Sequence, residues 1–314
     1  MNKNSPAFEI VKAARPDLLR DLDLTGEELL YLLDLADEVK REPARFGAAA
    51  AGKSIALLFE KPSLRTKLTF ELAIRQLGGS SVFIEGPIGV REPLKDVARN
   101  LDRWVNAIVA RVFSQQTVED LALWSSVPVI NALSDAFHPC QALADMQTVR
   151  ERFGRFNGLK MTFIGDGNNV AQSLMLTSLR LGMNFALACP AGYLPNPDIV
   201  TQAEGLAAVS GASLMITHDL PAALEGSNAI YTDVWASMGQ EQEAMERRRA
   251  FREYQVNDAL LAMACPNAVF MHCLPAKRGE EVTDPVMESP RSVVFDQAEN
   301  RLHAQKALLL MMLA

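Results

Sequence analysis

The sequence predicts an α/β protein of two domains, each a parallel sheet flanked by helices, with connecting helices between them. Three observations lead there. Apolar runs of strand length alternate with helical patterns almost from end to end. The runs are unbroken rather than alternating, as expected of strands covered on both faces. And 314 residues with 49% apolar content suffice for two cores of ordinary size.

One set of strands is expected at 55–59, 81–84, 107–110 and 128–131, and a second at 161–164, 184–188, 213–216, 229–232 and 269–272. Ahead of them, Leu29, Leu32, Leu33 and Ala36 share one helical face after Thr25, whose hydroxyl can cap that helix. Phe70, Ala73, Ile74 and Leu77 do the same after the first strand, and Gly78-Gly79 closes their helix. The join at 142–157 is itself helical in pattern, so a rigid connecting helix is expected. Residues 1–150, joined by a C-terminal helix at about 296–314, then make one domain and residues 151–295 the other.

Composition narrows the function. A net charge of -7 argues against a general nucleic-acid or anionic-membrane surface while leaving room for a local basic pocket. Cys140, Cys189, Cys265 and Cys273 lie far apart, with no metal-knuckle or redox spacing, which fits a reduced, cytoplasmic protein. The first residues lack the apolar stretch of a secretory signal. The apolar end, Ala307 to Ala314, is far shorter than the roughly 20 residues that span a bilayer, and is expected to pack the last helix onto the body.

Open parallel sheets bind ligands beyond the carboxyl ends of their strands. Several polar runs fall there. Ser63-Leu64-Arg65-Thr66 enters a helix with Ser63 at the N-cap, so free N–H groups, two hydroxyls and a guanidinium can cradle a phosphate. Taken alone, the same run reads sooner as an ordinary capped helix with a surface arginine. His138-Pro139-Cys140-Gln141, in a loop after the fourth strand, offers an imidazole and an amide to a carbonyl compound. A loop histidine can also be a plain hydrogen-bonding side chain. Arg111, just past the third strand, adds a donor on the same edge.

The second set opens with Gly165-Asp166-Gly167-Asn168-Asn169-Val170, where a dinucleotide fingerprint would sit. Val170 occupies the third glycine's place and no acidic residue ends the next strand, so a nucleotide site is not expected. The adjacent Asn168 and Asn169 instead suit a small carboxylate. Asp233 and Ser237, four residues apart, can share one amino group, although Asp233 is also placed to cap a helix. His272-Cys273-Leu274-Pro275 ends the last strand. No further ligands stand at metal-binding spacing, and Cys273 reads as a polar contact rather than a nucleophile. Arg301 can bring charge from the terminal helix.

In this order the runs resemble those of the ornithine carbamoyltransferases, within the wider aspartate/ornithine transcarbamoylase family, over nearly the whole chain. The resemblance implies transfer of a carbamoyl group from carbamoyl phosphate to L-ornithine, giving citrulline in arginine biosynthesis, in the cytoplasm. By motif, Ser63, Leu64, Arg65 and Thr66 would bind the phosphate, and Arg111, His138 and Gln141 the carbamoyl group. Asn168, Asn169, Asp233, Ser237 and Met238 would hold ornithine. Cys273, Leu274 and Arg301 would border both substrates, with Arg65, His138, Cys273 and Arg301 closest to the chemistry. The family also implies a homotrimer with sites completed by a neighbouring subunit, and needs neither metal nor organic cofactor.

Three positions depart from the family pattern. Leu64 stands where threonine is common, Lys67 where arginine is, and Pro87 where relatives often carry glutamine or histidine toward a neighbour's site. Proline can make no such contact. Other readings are a transcarbamoylase for N-acetylornithine or putrescine, and a non-catalytic binding protein on the same fold. An oxidoreductase is a third, resting on Gly165-Asp166-Gly167 alone.

Overall fold

A computed structural model describes residues 10–14, 16–236 and 241–314. The first part of the chain runs α1 (Gly26–Arg41), β1 (Ser54–Phe59), α2 (Leu64–Gln76), β2 (Ser80–Glu85), α3 (Leu94–Trp104), β3 (Ala107–Arg111), α4 (Gln115–Leu123) and β4 (Val129–Leu133). Helix α5 (Pro139–Phe153) then leads into β5 (Lys160–Ile164), α6 (Asn169–Arg180), β6 (Asn184–Ala188), α7 (Pro197–Ser210), β7 (Leu214–Thr217), α8 (Leu220–Leu224) and β8 (Ala229–Thr232). The remainder is α9 (Ala244–Ala250), α10 (Asp258–Met263), β9 (Val269–His272), α11 (Asp284–Met287) and α12 (Val294–Leu313).

The strands form two separate sheets, ordered β2-β1-β3-β4 and β7-β6-β5-β8-β9, and every pairing within them is parallel. Each order reverses once, at β1/β3 and at β5/β8. Those reversal points splay the following loops apart and open a crevice between them. All nine expected strands are present. β1, β3, β4, β5, β6, β8 and β9 are almost wholly buried, as their unbroken apolar runs require. β2 departs from that rule: it is an edge strand, and Val82 and Ile84 are 55% and 45% exposed.

Thr25 and Glu28 close a reciprocal capping box on α1, the Glu28 N–H on Thr25 Oγ1 at 3.1 Å and the Thr25 N–H on Glu28 Oε2 at 2.8 Å. The connecting helix α5 serves both sheets. Cys140, Leu143 and Ala144 pack into the first core, whereas Ala142, Met146 and Val149 pack into the second. Three or four residues of spacing put each trio on its own face, which is why the run is buried from Pro139 to Val149. Gly154, at φ 70°, ends the helix in the left-handed conformation glycine favours. α12 lies against α1, α2 and α5, with residues 307–312 sunk in the first core. No helix among the described residues is long and apolar enough to cross a membrane.

Asp21 pins the segment before α1 to α6. Its buried carboxylate accepts from Ser173 Oγ at 2.6 Å and Thr177 Oγ1 at 3.4 Å, while Ser173 Oγ accepts from the His138 N–H at 2.8 Å. Burial pushes Asp21 up from 3.8 to about 6, against the pull of those hydroxyls. A raised carboxyl pKa contributes stability that is whole below about pH 4 and lost as pH rises through 6. An asparagine in its place would keep an acceptor for the hydroxyls without the charge. Asp21→Asn is therefore expected to stabilise the protein by up to ~3 kcal/mol more at pH 8 than at pH 4. Urea unfolding at the two pH values checks this, and an equal effect at both would contradict it.

Candidate functional site

The crevices of the two sheets face each other and merge into a cleft of about 820 Å³. One wall is the first turn of α2. Ser63 has extended backbone and accepts the Thr66 N–H on its Oγ at 3.2 Å, so the Leu64 and Arg65 N–H groups point outward without a helical partner. Leu64 lines the mouth and is 70% exposed. Thr66 is buried, and its Oγ1 accepts from Arg301 Nη2 at 2.6 Å, which fastens the end of the chain to the cradle.

Glu60, which the sequence did not single out, fixes the loops around that turn. Its carboxylate accepts the Ile88 N–H at 3.1 Å and the Phe113 N–H at 2.9 Å, and its own N–H donates to the Arg111 carbonyl. Lys61 also lines the cleft, with Nζ 4.7 Å from the Phe113 ring centre.

Arg111 and Arg301 are buried, and the Nε of each lacks a partner among the described residues. With Arg65 they put three guanidinium groups in one wall. Among the described residues none of the three pairs with a carboxylate. Burial, with Arg301 and Arg65 close by, brings Arg111 down to about 10, and burial lowers Arg65 and Arg301 as well. Such crowding of like charge in a cleft is how a protein builds a site for an anion.

His138 lines the same wall. Pro139, Cys140 and Gln141, expected in a loop, instead form the first turn of α5, with His138 as its N-cap. Proline is at home there because it has no N–H to lose. Burial, then Arg301 and Arg111, hold His138 well below the usual 6.5, so it is a neutral hydrogen-bonding group near pH 7. Its Nδ1 has no partner among the described residues. Gln141 sits behind the wall rather than on it: Nε2 donates to Asp145 at 2.8 Å, and Oε1 is buried and unpartnered among the described residues.

The opposite wall comes from the second sheet. Asp233, just past β8, accepts from Asn168 Nδ2 at 3.0 Å and from the Cys273 thiol at 3.1 Å. Burial, then the Asp233 charge, push that thiol well above its usual range. Cys273 is accordingly a donor, not a thiolate nucleophile. Leu274 holds φ 59°, a costly conformation for a branched side chain. His272 supports it: Nδ1 accepts the Leu274 N–H at 2.8 Å, which leaves Nε2 to donate to Glu281 at 3.2 Å. Ligand atoms of Asp233, His272 and Cys273 lie within 4.8 Å of one another, a grouping the sequence spacing did not suggest. Each already has a protein partner: both imidazole nitrogens are engaged, and the thiol keeps its proton for Asp233.

Asn169 lines the cleft, with Nδ2 on the Ser134 carbonyl at 2.7 Å. Asn168 lines an adjoining cleft of about 600 Å³, and its Oδ1 caps α6 through the Val170 and Ala171 N–H groups. The amides expected for a carboxylate are thus partly spent on the fold. Ser237 and Met238 lie outside the described residues. Gly167 owes its smallness to packing, because a Cβ there would stand 2.3 Å from Pro195 N. Asp166 pairs with Arg247 at 2.6 Å, and Arg247 also donates to the Trp235 carbonyl at 3.0 Å and stacks 5.1 Å from the Tyr193 ring. No sequence signal distinguished Arg247 from Arg248 and Arg249 beside it.

An anion-hungry wall facing a carboxylate suits a transfer between an anionic and a cationic substrate. Residues 16–151 match the aspartate/ornithine carbamoyltransferase carbamoyl-P binding domain, and residues 157–312 match the Asp/Orn binding domain of that family. An ornithine carbamoyltransferase of Thermococcus kodakarensis is 52% identical over 96% of this chain and 97% of its own. The chain belongs to the aspartate/ornithine carbamoyltransferase family. The solved ornithine carbamoyltransferase of Pyrococcus furiosus superposes with a TM-score of 0.93 at 49% identity, over 96% of this chain and 99% of that one. A solved acetylornithine transcarbamylase, complexed with acetylcitrulline, superposes with a TM-score of 0.87 at 33% identity, over 95% of this chain and 99% of that one. The carbamoyltransferase fold therefore takes in both sheets.

Proposed function

We propose that this chain transfers the carbamoyl group of carbamoyl phosphate to the side-chain amine of L-ornithine, giving L-citrulline and phosphate, within arginine biosynthesis. The observation that carries the reading is the cleft itself, with three guanidiniums on one wall that pair with no carboxylate among the described residues, and the Asp233 carboxylate on the other. The α2 N-terminus, Ser63, Arg65 and Thr66 take the phosphate. Arg111 and neutral His138 donate to the carbamoyl oxygen, whose charge grows during attack. Gln141 Oε1, buried behind that wall and unpartnered among the described residues, is the acceptor left for the carbamoyl NH₂ once that group seats between the wall's side chains. Asp233, with Ser237, holds the α-amino group, while Asn168 and Asn169 take the carboxylate through the N–H not already engaged. Met238 borders the same substrate.

The attacking amine must be neutral, whereas a free alkylamine has a pKa of ~10.4. Arg65 and Arg301 nearby, away from water, favour loss of its proton. Cys273 and the Leu274 carbonyl border the amine and orient its lone pair. The amine nitrogen bonds to the carbamoyl carbon, and the tetrahedral oxyanion sits among Arg111, Thr66 and His138. The C–O bond to phosphate breaks as the departing phosphate takes the proton that the attacking nitrogen gives up. Holding both substrates in one cleft supplies much of the rate, since effective molarities reach ~10⁵ M. Citrulline formation from carbamoyl phosphate with ornithine, N-acetylornithine, putrescine and aspartate in parallel tests the reading. Turnover with ornithine alone is expected. Preference for an acceptor without a charged α-amino group would overturn the role of Asp233.

Residues 1–150 with the C-terminal helix form the carbamoyl-phosphate half of this reading, and residues 151–295 the amine half. Support comes from the first core, which contains residues of α12. A homotrimer is part of the same proposal. Leu64, Leu68 and Leu72 make an apolar strip along α2, 39–70% exposed, beside the half-exposed Val82 and Ile84 of β2. Bare apolar surface of that extent on one face suits a second copy. Pro87 leaves any cross-subunit contact to other residues of its loop. Leu68→Glu/Val82→Glu is expected to give a smaller species in sedimentation; an unchanged mass would count against this face. The four free cysteines fit the reducing cytoplasm.

A further inference from the structure

Gln141 serves the reaction only if its amide presents oxygen to the carbamoyl group, and nothing in the glutamine itself decides that. The decision comes from Asp145, one turn along α5. Its Oδ1 accepts from Gln141 Nε2 at 2.8 Å and from Gln297 Nε2 at 2.7 Å. Gln297, on α12, has its own orientation set from the other side: its Nε2 also donates to the Tyr231 hydroxyl at 3.0 Å, and its Oε1 accepts the His272 N–H at 2.9 Å. Asp145, Gln141, Gln297 and His272 are all at most 1% exposed. The chain of bonds therefore runs from Gln141, behind the guanidinium wall, through the buried carboxylate, to the strand end that carries Cys273 and Leu274.

We propose that Asp145 is a positioning residue for the carbamoyl group, its carboxylate turning the Gln141 amide so that Oε1 is left to accept the carbamoyl NH₂, while Gln297 ties that orientation to the strand end at His272. The inference rests on the role given to Gln141 above. An acceptor opposite Nε2 is what matters: with the amide reversed, Gln141 would face Asp145 with oxygen against oxygen and offer the carbamoyl NH₂ another donor. Burial pushes Asp145 up to about 7, opposed by the two amides, with Arg301 on α12 and Tyr231 on β8 as its other polar neighbours. Protonation at Oδ2 still leaves Oδ1 an acceptor, so no pH switch is implied.

The test compares two ligands on the intact protein. Carbamoyl phosphate uses Gln141, whereas inorganic phosphate fills only the cradle on α2. Asp145→Ala is expected to weaken carbamoyl phosphate about tenfold while leaving inorganic phosphate within twofold. Asp145→Asn, which keeps an acceptor in place, is expected to restore carbamoyl phosphate binding, and adding Asp145→Ala to Gln141→Ala is expected to cost nothing further. Equal weakening of both ligands, failure of Asn to rescue, or additive losses would each overturn the proposal. If Asp145→Ala does not fold, Gln141→Leu/Asp145→Leu removes both members of the buried pair together. It is then compared with Gln141→Leu, and further loss of carbamoyl phosphate affinity overturns the proposal. Gln141→Ala run alone separates the two readings: if it leaves carbamoyl phosphate binding intact, the role of Gln141 itself is wrong.

Discussion

Arg65→Ala should lower citrulline formation by about 10³-fold and leave the fold intact. Removing one preorganised donor from a site of developing negative charge costs ~10²–10³ in rate, and a guanidinium on a transferring phosphate costs as much or more. The fold survives because Arg65 holds no carboxylate among the described residues and sits among like charges, with Arg111 lowered partly by its presence. Relieving that repulsion offsets the packing lost with its stem. Thermal unfolding within a few degrees of the parent, together with the kinetic loss, is the expected pair of results. Activity within threefold of the parent would remove Arg65 from the cradle.

Asp233→Asn acts on the opposite wall and should act on the other substrate. Asn is isosteric, and its oxygen can still accept from Asn168 or from the Cys273 thiol. What disappears is the charge that would meet the α-ammonium of ornithine. A hydrogen bond to a charged group is worth ~1.5–3 kcal/mol, so the KM for ornithine should rise by about 10²-fold. Carbamoyl phosphate affinity should stay where it was. A fall in both affinities would show that the two walls are not separable, and no change in either would place the amino group elsewhere.

Much of this was legible in the sequence, for a physical reason. Strands buried on both faces must be apolar throughout, so the runs at 55–59 or 161–164 announce themselves. Contiguous motifs at strand ends, such as Ser63 to Thr66 and His272 to Pro275, carry their chemistry within a few residues and need no knowledge of the fold. What stayed hidden is pairwise and remote. Asp145 meets Gln297 across 152 positions, and Arg247 meets Asp166 across 81. Neither pair has a local signal. Glu60 carries no local signal for another reason: its partners are backbone N–H groups, which every sequence has. The exposure of Val82 and Ile84 is not legible because the short run Val82-Phe83-Ile84 is as apolar as those of the buried strands.

The placement of α12 has a consequence for synthesis. The second sheet draws its strands from residues 160–272, whereas the core under the first sheet is finished by Ala304 to Met312. Domains commonly fold in the order they leave the ribosome. Here the half that emerges first must wait, its α1, α2 and α5 surfaces open, until the last helix arrives. The later half can close ahead of it. Truncation near the C-terminus would then strike the part of the protein made earliest.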